Sequence, residues 1–363
     1  MDQTPVALRR RRLRRQDVDG ALRPRRRPGR AHPPRRGRSL PTGGRGGPGG
    51  VEGGGRAGRV LVDGDERRHR TRDPLVDDPH RIGAVRQLGV DETTYLSAKP
   101  SHPTIYATGL VDLEVKVLID LVEGNAAADL RRWTANADPR WLRGIEVVAT
   151  DLAESFRAGL SPSLDHATRV ADPFHVVRVG NRCIDKVRRR VQNETLGHRG
   201  RTHDPLYRIR KLLLAGGERL DERGENRMLL GLRIGDPHDE VLGAWLAKES
   251  VRDVYLTEDP AVAATLLDKA IAGCEADEVE EIRSLGNTLS SWRTEILAHH
   301  LSGASNGPTE GLNLCVKRVK RCGHGFKRFD HYRLRVLLHA GGITWSSRPR
   351  PPRIRTRSPH SNA

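Results

Sequence analysis

Apolar and polar positions begin to alternate near residue 88 and run through three β-like stretches, Leu88 to Leu96, Thr104 to Asp112 and Lys116 to Glu123. Proline-containing and Asp-Leu-Glu turns part them, so they predict a three-stranded meander. The pattern then predicts a short helix over AADLRRWTAN, a buried strand in IEVVATD, a helical SFRAGL, a short strand over Thr168 to Ala171 and a long basic helix from Phe174 to about Glu194. Between about 196 and 303 the period is helical throughout. Ile282, Leu285, Leu289, Trp292 and Ile296 recur at spacings of 3, 4, 3 and 4 and mark one apolar stripe. Leu206, Ile209, Leu212 and Leu213 mark a second, and Val241, Leu242, Trp245 and Leu246 a third. Trp292, Trp133 and Trp141 read as packing groups.

Three strands, helix, strand, helix, strand, helix is the order of a ribonuclease H-like α/β fold, a mixed sheet with helices on both faces, here interrupted by an all-α insertion. The expected organisation is a catalytic domain in two parts, residues 73–195 and 304–345, around an insertion at 196–303. Residues 1–72 form an Arg/Gly/Pro tract with too few apolar residues to offset the entropy of ordering, and 346–363 form a basic tail, so disorder is expected in both. In the expected fold the first and fourth strands are neighbours.

That pairing matters because each of the two strands carries an acid. Asp91 lies in QLGVDETTYL and Asp151 closes IEVVATD. A carboxylate in a buried strand is costly unless a cation or a dense hydrogen-bond network compensates it. Glu310 follows the breaker cluster SGASNGPTE, where Asn306 or Gly307 is expected to cap a helix with Pro308 in its first turn. Hard oxygen ligands on separate elements suit magnesium or manganese. Glu92 is expected on the opposite strand face from Asp91, and Asp112 at a turn-like strand end is read as structural. His175 begins the long helix after the fifth strand, with Asp172 in position to cap that helix or to touch the chemistry.

Charge sharpens the list of partners. The net charge is +18, which favours a polyanion. Residues 1–60 hold 17 Arg against four acids, so most of the excess belongs to the low-complexity tract. In the remainder, Lys317, Arg318, Lys320 and Arg321 follow Glu310 and are expected to hold DNA phosphates. Lys186, Arg188, Arg189 and Arg190 form a second basic cluster. The four cysteines fall in no CxxC pair, which excludes a readable zinc ribbon or disulfide framework and fits a reducing compartment. No apolar run approaches the roughly 18 residues of a membrane span, and a soluble, cytoplasmic protein is expected.

Several ordered blocks carry a resemblance: GVDET, VVATDLAESFRAGL, VADPFHVVRVGN, ETLGHRGRTHDPLYRIRKLLL and SNGPTEGLNLCVKRVKRCGHGFKRFDHYRLRVLLH. Over about residues 75–345 the chain resembles the DDE transposases of bacterial insertion sequences, ISL3 type. The resemblance implies an enzyme of metal-dependent DNA cleavage and strand transfer. Asp91, Asp151 and Glu310 would be its acid triad and hold two Mg²⁺ or Mn²⁺ ions, with His175 in support of catalysis. It also implies element ends and target DNA as partners, a homodimer on paired ends, and a place in the bacterial cytoplasm at the nucleoid. The departure is at the amino terminus, where such proteins usually carry a cysteine-rich zinc-binding segment and a helix-turn-helix. Residues 1–72 show neither, and the expectation is that about 70 residues come from a shifted frame or a misplaced start. Two other readings stand beside the active enzyme: an inactive remnant that only binds DNA nonspecifically, and a ribonuclease H-like repair or recombination nuclease.

Overall fold

The computed structural model describes residues 73–343, so the expectations for residues 1–72 and for the basic tail lie outside the described residues. After a short helix α1 (Asp73–Val76), strands β1 (Gln87–Leu96), β2 (Ile105–Asp112) and β3 (Val117–Glu123) form the expected antiparallel meander. Asp112 is structural, as expected: its Oδ1 accepts from the amides of Glu114 and Val115 and shapes the β2–β3 turn. Helices α2 (Ala127–Asn136) and α3 (Pro139–Arg143) then carry the chain to β4 (Val147–Thr150). Helix α4 (Glu154–Leu164) leads on to β5 (Thr168–Ala171). The sheet order is β3-β2-β1-β4-β5, with β4 parallel to β1 and β5 parallel to β4.

Two-residue periodicity sends alternate side chains to opposite faces of this sheet. Leu88, Val90, Leu110 and Val148 enter a core shared with Leu130 of α2 and with Phe156, Leu160 and Leu164 of α4. Tyr95, Ala107, Val111, Ala149 and Val170 face the other way. They pack against Ala298 of α11 (Arg293–Ser302), Val316 of α12 (Gly307–Cys322), and Tyr332 and Leu337 of α13 (Phe329–Ala340). Helices thus cover both faces, and the architecture is ribonuclease H-like. Trp133 and Trp141 pack edge to face at 6.1 Å, as packing groups should.

Helix α5 (Pro173–Leu196) starts where β5 ends, with Asp172 at its N-cap, and stops at Gly197 in the left-handed conformation. The segment 196–303 is helical, comprising α6 (Pro205–Leu214), α7 (Glu222–Gly235), α8 (Glu240–Val254), α9 (Pro260–Glu275), α10 (Glu280–Ser291) and α11. Helix α8 lies close on α5, where a Cβ added to Gly180 would meet Lys248 Cγ at 3.1 Å. Lys248 itself is buried, pairs with Glu249 and donates to the carbonyls of Leu213 and Ala215. All five members of the stripe from Ile282 to Ile296 are buried, but the helix is interrupted at Trp292, between α10 and α11. Through Ala298, α11 rejoins the second core of the sheet and delivers α12 to β1. No helix among the described residues is long and apolar enough to cross a membrane.

Candidate active site

Strand register brings the first two acids together. Val90 on β1 pairs with Thr150 at the end of β4, so Asp91 on β1 and Asp151, the first residue past β4, stand side by side. Asp91 points to the α12 face, where its Oδ2 accepts from Asn313 Nδ2 at 2.7 Å and its Oδ1 from the Glu92 amide. Burial raises its pKa above the usual carboxylate range, against those hydrogen bonds and the charge of His175. Asp151 has one buried oxygen, Oδ1, with no hydrogen-bond partner. Burial pushes this group up to about 6, with His175 opposing and Asp91 and Glu92 adding to the rise.

Glu310 comes from the first turn of α12, whose entry is clamped by Asn306. The sequence pattern makes Asn306 a capping candidate, and it does occupy the N-cap position, but its side chain bonds elsewhere. Its Nδ2 donates to the Val90 carbonyl on β1 at 3.0 Å, and its amide donates to Asp172 Oδ1 at 2.8 Å. Contacts across more than a hundred residues, not a local cap, therefore fix where Glu310 projects. Burial and the nearby charges of Asp172 and Asp91 raise the Glu310 pKa, while His175 and Arg178 oppose the rise.

His175 joins the groups. Its Nδ1 lies 3.0 Å from Asp172 Oδ2, which leaves Nε2 as the ring's other polar atom. Burial pulls the imidazole down, but the Asp172 hydrogen bond and the charges of Asp172, Asp91 and Asp151 outweigh it and the net shift is upward. Asp172 is lowered: burial would raise it, but bonds from His175 and Asn306 prevail. It therefore caps α5, orients His175 and anchors Asn306 at once. Ligand atoms of Asp91, Asp151 and His175 lie within 4.8 Å of one another, as do those of Asp172, His175 and Glu310. These are two overlapping trios that share the imidazole. All but Asp172 line one cleft of about 980 Å³. Such a donor set, mostly carboxylate oxygen and partly desolvated, is the chemistry a hard divalent cation requires.

The basic residues separate. Lys317 lines the cleft, whereas Arg318 and Arg321 are exposed outside its lining. Lys320 is half-buried and donates to the Thr94 carbonyl at 2.9 Å, which ties it to β1. In the second cluster Arg188 is 4% exposed and bonded to Asp185 and Gln192, and Arg190 is held by Glu240 and Glu281. Those two are structural. Arg178 and Arg182, which the sequence pattern leaves unmarked, line the cleft beside His175. Their offsets of 3 and 7 from His175, steps of 3 and then 4 along one helix, are the signal that places all three on one face. Glu92, expected on the opposite strand face from Asp91, accepts from Asn125 at 2.6 Å and also lines the cleft.

Comparisons with known proteins bear on this geometry. A family model described as a transposase, the DDE type named for ISL3, matches residues 88–336. The transposase for insertion sequence element IS1001 of Bordetella parapertussis is 23% identical over 236 residues, covering 64% of this chain and 56% of that protein. The transposase for insertion sequence element IS1557 of Mycobacterium tuberculosis (strain CDC 1551 / Oshkosh) is 26% identical over 267 residues, covering 68% of this chain and 58% of that protein. The chain thus spans between 56% and 58% of the length of these curated relatives.

Proposed function

This chain belongs to the ISL3-type DDE transposase family, and on that premise we propose that it catalyses metal-dependent cleavage of DNA at the ends of an insertion sequence and transfer of the freed strand to target DNA. The observation that carries the proposal is the convergence of Asp91, Asp151 and Glu310, from two adjacent strands and a returning helix, on one cleft. The unpartnered, buried Asp151 Oδ1 and the upward shifts of all three acids are what carboxylates awaiting a cation exhibit.

Asp91, Asp151 and Glu310 would hold two Mg²⁺ or Mn²⁺ ions. When bound, such a pair stabilises charge on the entering and leaving oxygens of an in-line phosphodiester displacement. His175, oriented by Asp172 through Nδ1, would present Nε2 to the scissile phosphate. Lys317, Arg178 and Arg182 hold flanking phosphates in the cleft. Water would attack the scissile phosphorus and break its bond to the 3′ oxygen, leaving a 3′-hydroxyl and a 5′-phosphate; that hydroxyl would then attack a target phosphorus, and the target strand's 3′ oxygen would leave. No covalent bond to the protein is needed.

The test is the purified full chain with Mn²⁺ or Mg²⁺ and duplexes covering the DNA that flanks its coding region. Nicking and strand transfer should occur with wild type and vanish with Asp151→Asn at unchanged folding. Cleavage without metal, or cleavage retained by that variant, would overturn the proposal. DNA binding without cleavage is the result that the idle-remnant reading predicts.

A further inference from the structure

Phe174 is an aromatic side chain that the packing of the fold leaves unused. Of the four phenylalanines in the chain, Phe156 is fully buried and Phe326 and Phe329 pack against the second core of the sheet. Phe174 is 57% exposed. It sits in the first turn of α5, one residue before His175, with its ring edge-on to the imidazole at 5.4 Å between centroids. Its side chain lines the same cleft as the acids.

The α12 side of that cleft offers apolar surface beside Glu310, Asn313 and Lys317. Leu314 is 68% exposed there, and Gly311 leaves bare backbone, since an added Cβ would meet nothing within 4 Å. Arg178, Arg182 and Lys317 line the cleft as well. An aromatic face among backbone-holding cations is the combination that binds single-stranded nucleic acid by stacking. A paired duplex keeps its base faces covered, so only an opened base can present one to the ring. At about 3.4 Å per nucleotide along one strand, Phe174 lies within roughly three nucleotides of the acids.

We propose that Phe174 stacks on an unpaired base within three nucleotides of the scissile phosphate, with Leu314 lining the same slot, so that the cleft receives DNA whose base pair there has been opened. The proposal rests on the cleavage reading above. Its test compares full-length wild type, Phe174→Ala and Phe174→Trp on two end duplexes. The duplexes differ only in whether the bases within three nucleotides of the cut are paired or mismatched. Phe174→Ala should cut the paired duplex roughly tenfold or more slower and recover near wild-type rate on the mismatched one, and Phe174→Trp should retain activity on both. Equal rates for Ala and wild type, or equal slowing on both duplexes, would overturn it. A second readout stands apart from chemistry. With 2-aminopurine at each of the three positions and Ca²⁺ in place of Mn²⁺, binding by wild type should change the fluorescence at one position, and Phe174→Ala should abolish that change. If wild type cuts neither duplex, the cleavage reading fails, while the fluorescence still decides whether the ring stacks; no Phe174-dependent change at any position would sink the stacking proposal by itself.

Discussion

Gly89→Ala should disable the site without altering any of its acids. Gly89 lies on β1, two residues before Asp91, where the first turn of α12 crosses the strand. A Cβ there would stand 2.7 Å from Asn306 Oδ1, 2.5 Å from Leu113 Cδ2 and closer still to Thr309 Oγ1, whereas ordinary contact begins at 3.4 Å. Leu113 can rotate its tip away. Asn306 and Thr309 cannot yield as readily, because both are fully buried and Asn306 is pinned by bonds to Val90 and Asp172. The start of α12 must therefore lift by about 1 Å, and Glu310 follows Thr309 directly on that helix. Overpacking of this kind costs about 1–3 kcal/mol, and a reacting group misplaced by ~1 Å loses on the order of 100-fold in rate. The expected outcome is a Tm lowered by roughly 2–10 °C and Mn²⁺-dependent nicking slowed about 100-fold at a temperature where the variant is fully folded. Gly83→Ala is the control, since a Cβ at Gly83 meets nothing within 4 Å. Melting curves and single-turnover nicking at saturating DNA make the comparison. A Gly89→Ala protein that melts lower yet nicks at the wild-type rate would refute the idea that this close approach sets Glu310.

Three further outcomes follow from the electrostatics. Because burial holds Asp151 up to about 6 in the metal-free protein, protonation stabilises the fold there, and that contribution is lost as pH rises through about 6. Metal needs the carboxylate, so Mn²⁺ should raise Tm more at pH 7.5 than at pH 5.5; equal rises would contradict the assignment. Asp172→Asn removes the main source of the raised His175 pKa, so the His175 titration, followed by NMR, should move to lower pH, and nicking at neutral pH should fall about 10–100-fold; an unmoved titration would refute the pairing. Arg178→Ala should weaken DNA binding and lower the salt slope by about 1, whereas Arg190→Ala should lower Tm and leave that slope intact, since Glu240 and Glu281 already hold Arg190.

Much of the fold was readable from local pattern because its elements are locally consistent. The helix over AADLRRWTAN and the strand over Thr168 to Ala171 appear with the residues expected of them. The pairing of β1 with β4 follows from the element order, and with it the adjacency of Asp91 and Asp151. What escaped was set by contacts distant in sequence. Asn306 looks like a local cap and instead bonds to Val90, 216 residues away. Arg188, Arg189 and Arg190 are indistinguishable as a charge run, yet Arg188 is buried and Arg189 is exposed, because α8 and α10 cover part of that helix. Trp292 keeps the apolar stripe in phase while its backbone breaks the helix, so spacing alone does not reveal the break. Arg178 and Arg182 could be found only by asking which residues share a face with His175.

In the proposed mechanism Asp91, Asp151 and Glu310 together hold the metal at a DNA end. Anomalous diffraction at the manganese edge, from crystals of the full chain bound to a nicked end duplex, tests it most directly. Two manganese peaks about 3.5–4 Å apart, ligated by Asp91, Asp151 and Glu310 and lost in Asp151→Asn crystals, are the result expected. Peaks elsewhere on the chain, or manganese held by Asp172 and His175 without Asp91, would contradict it.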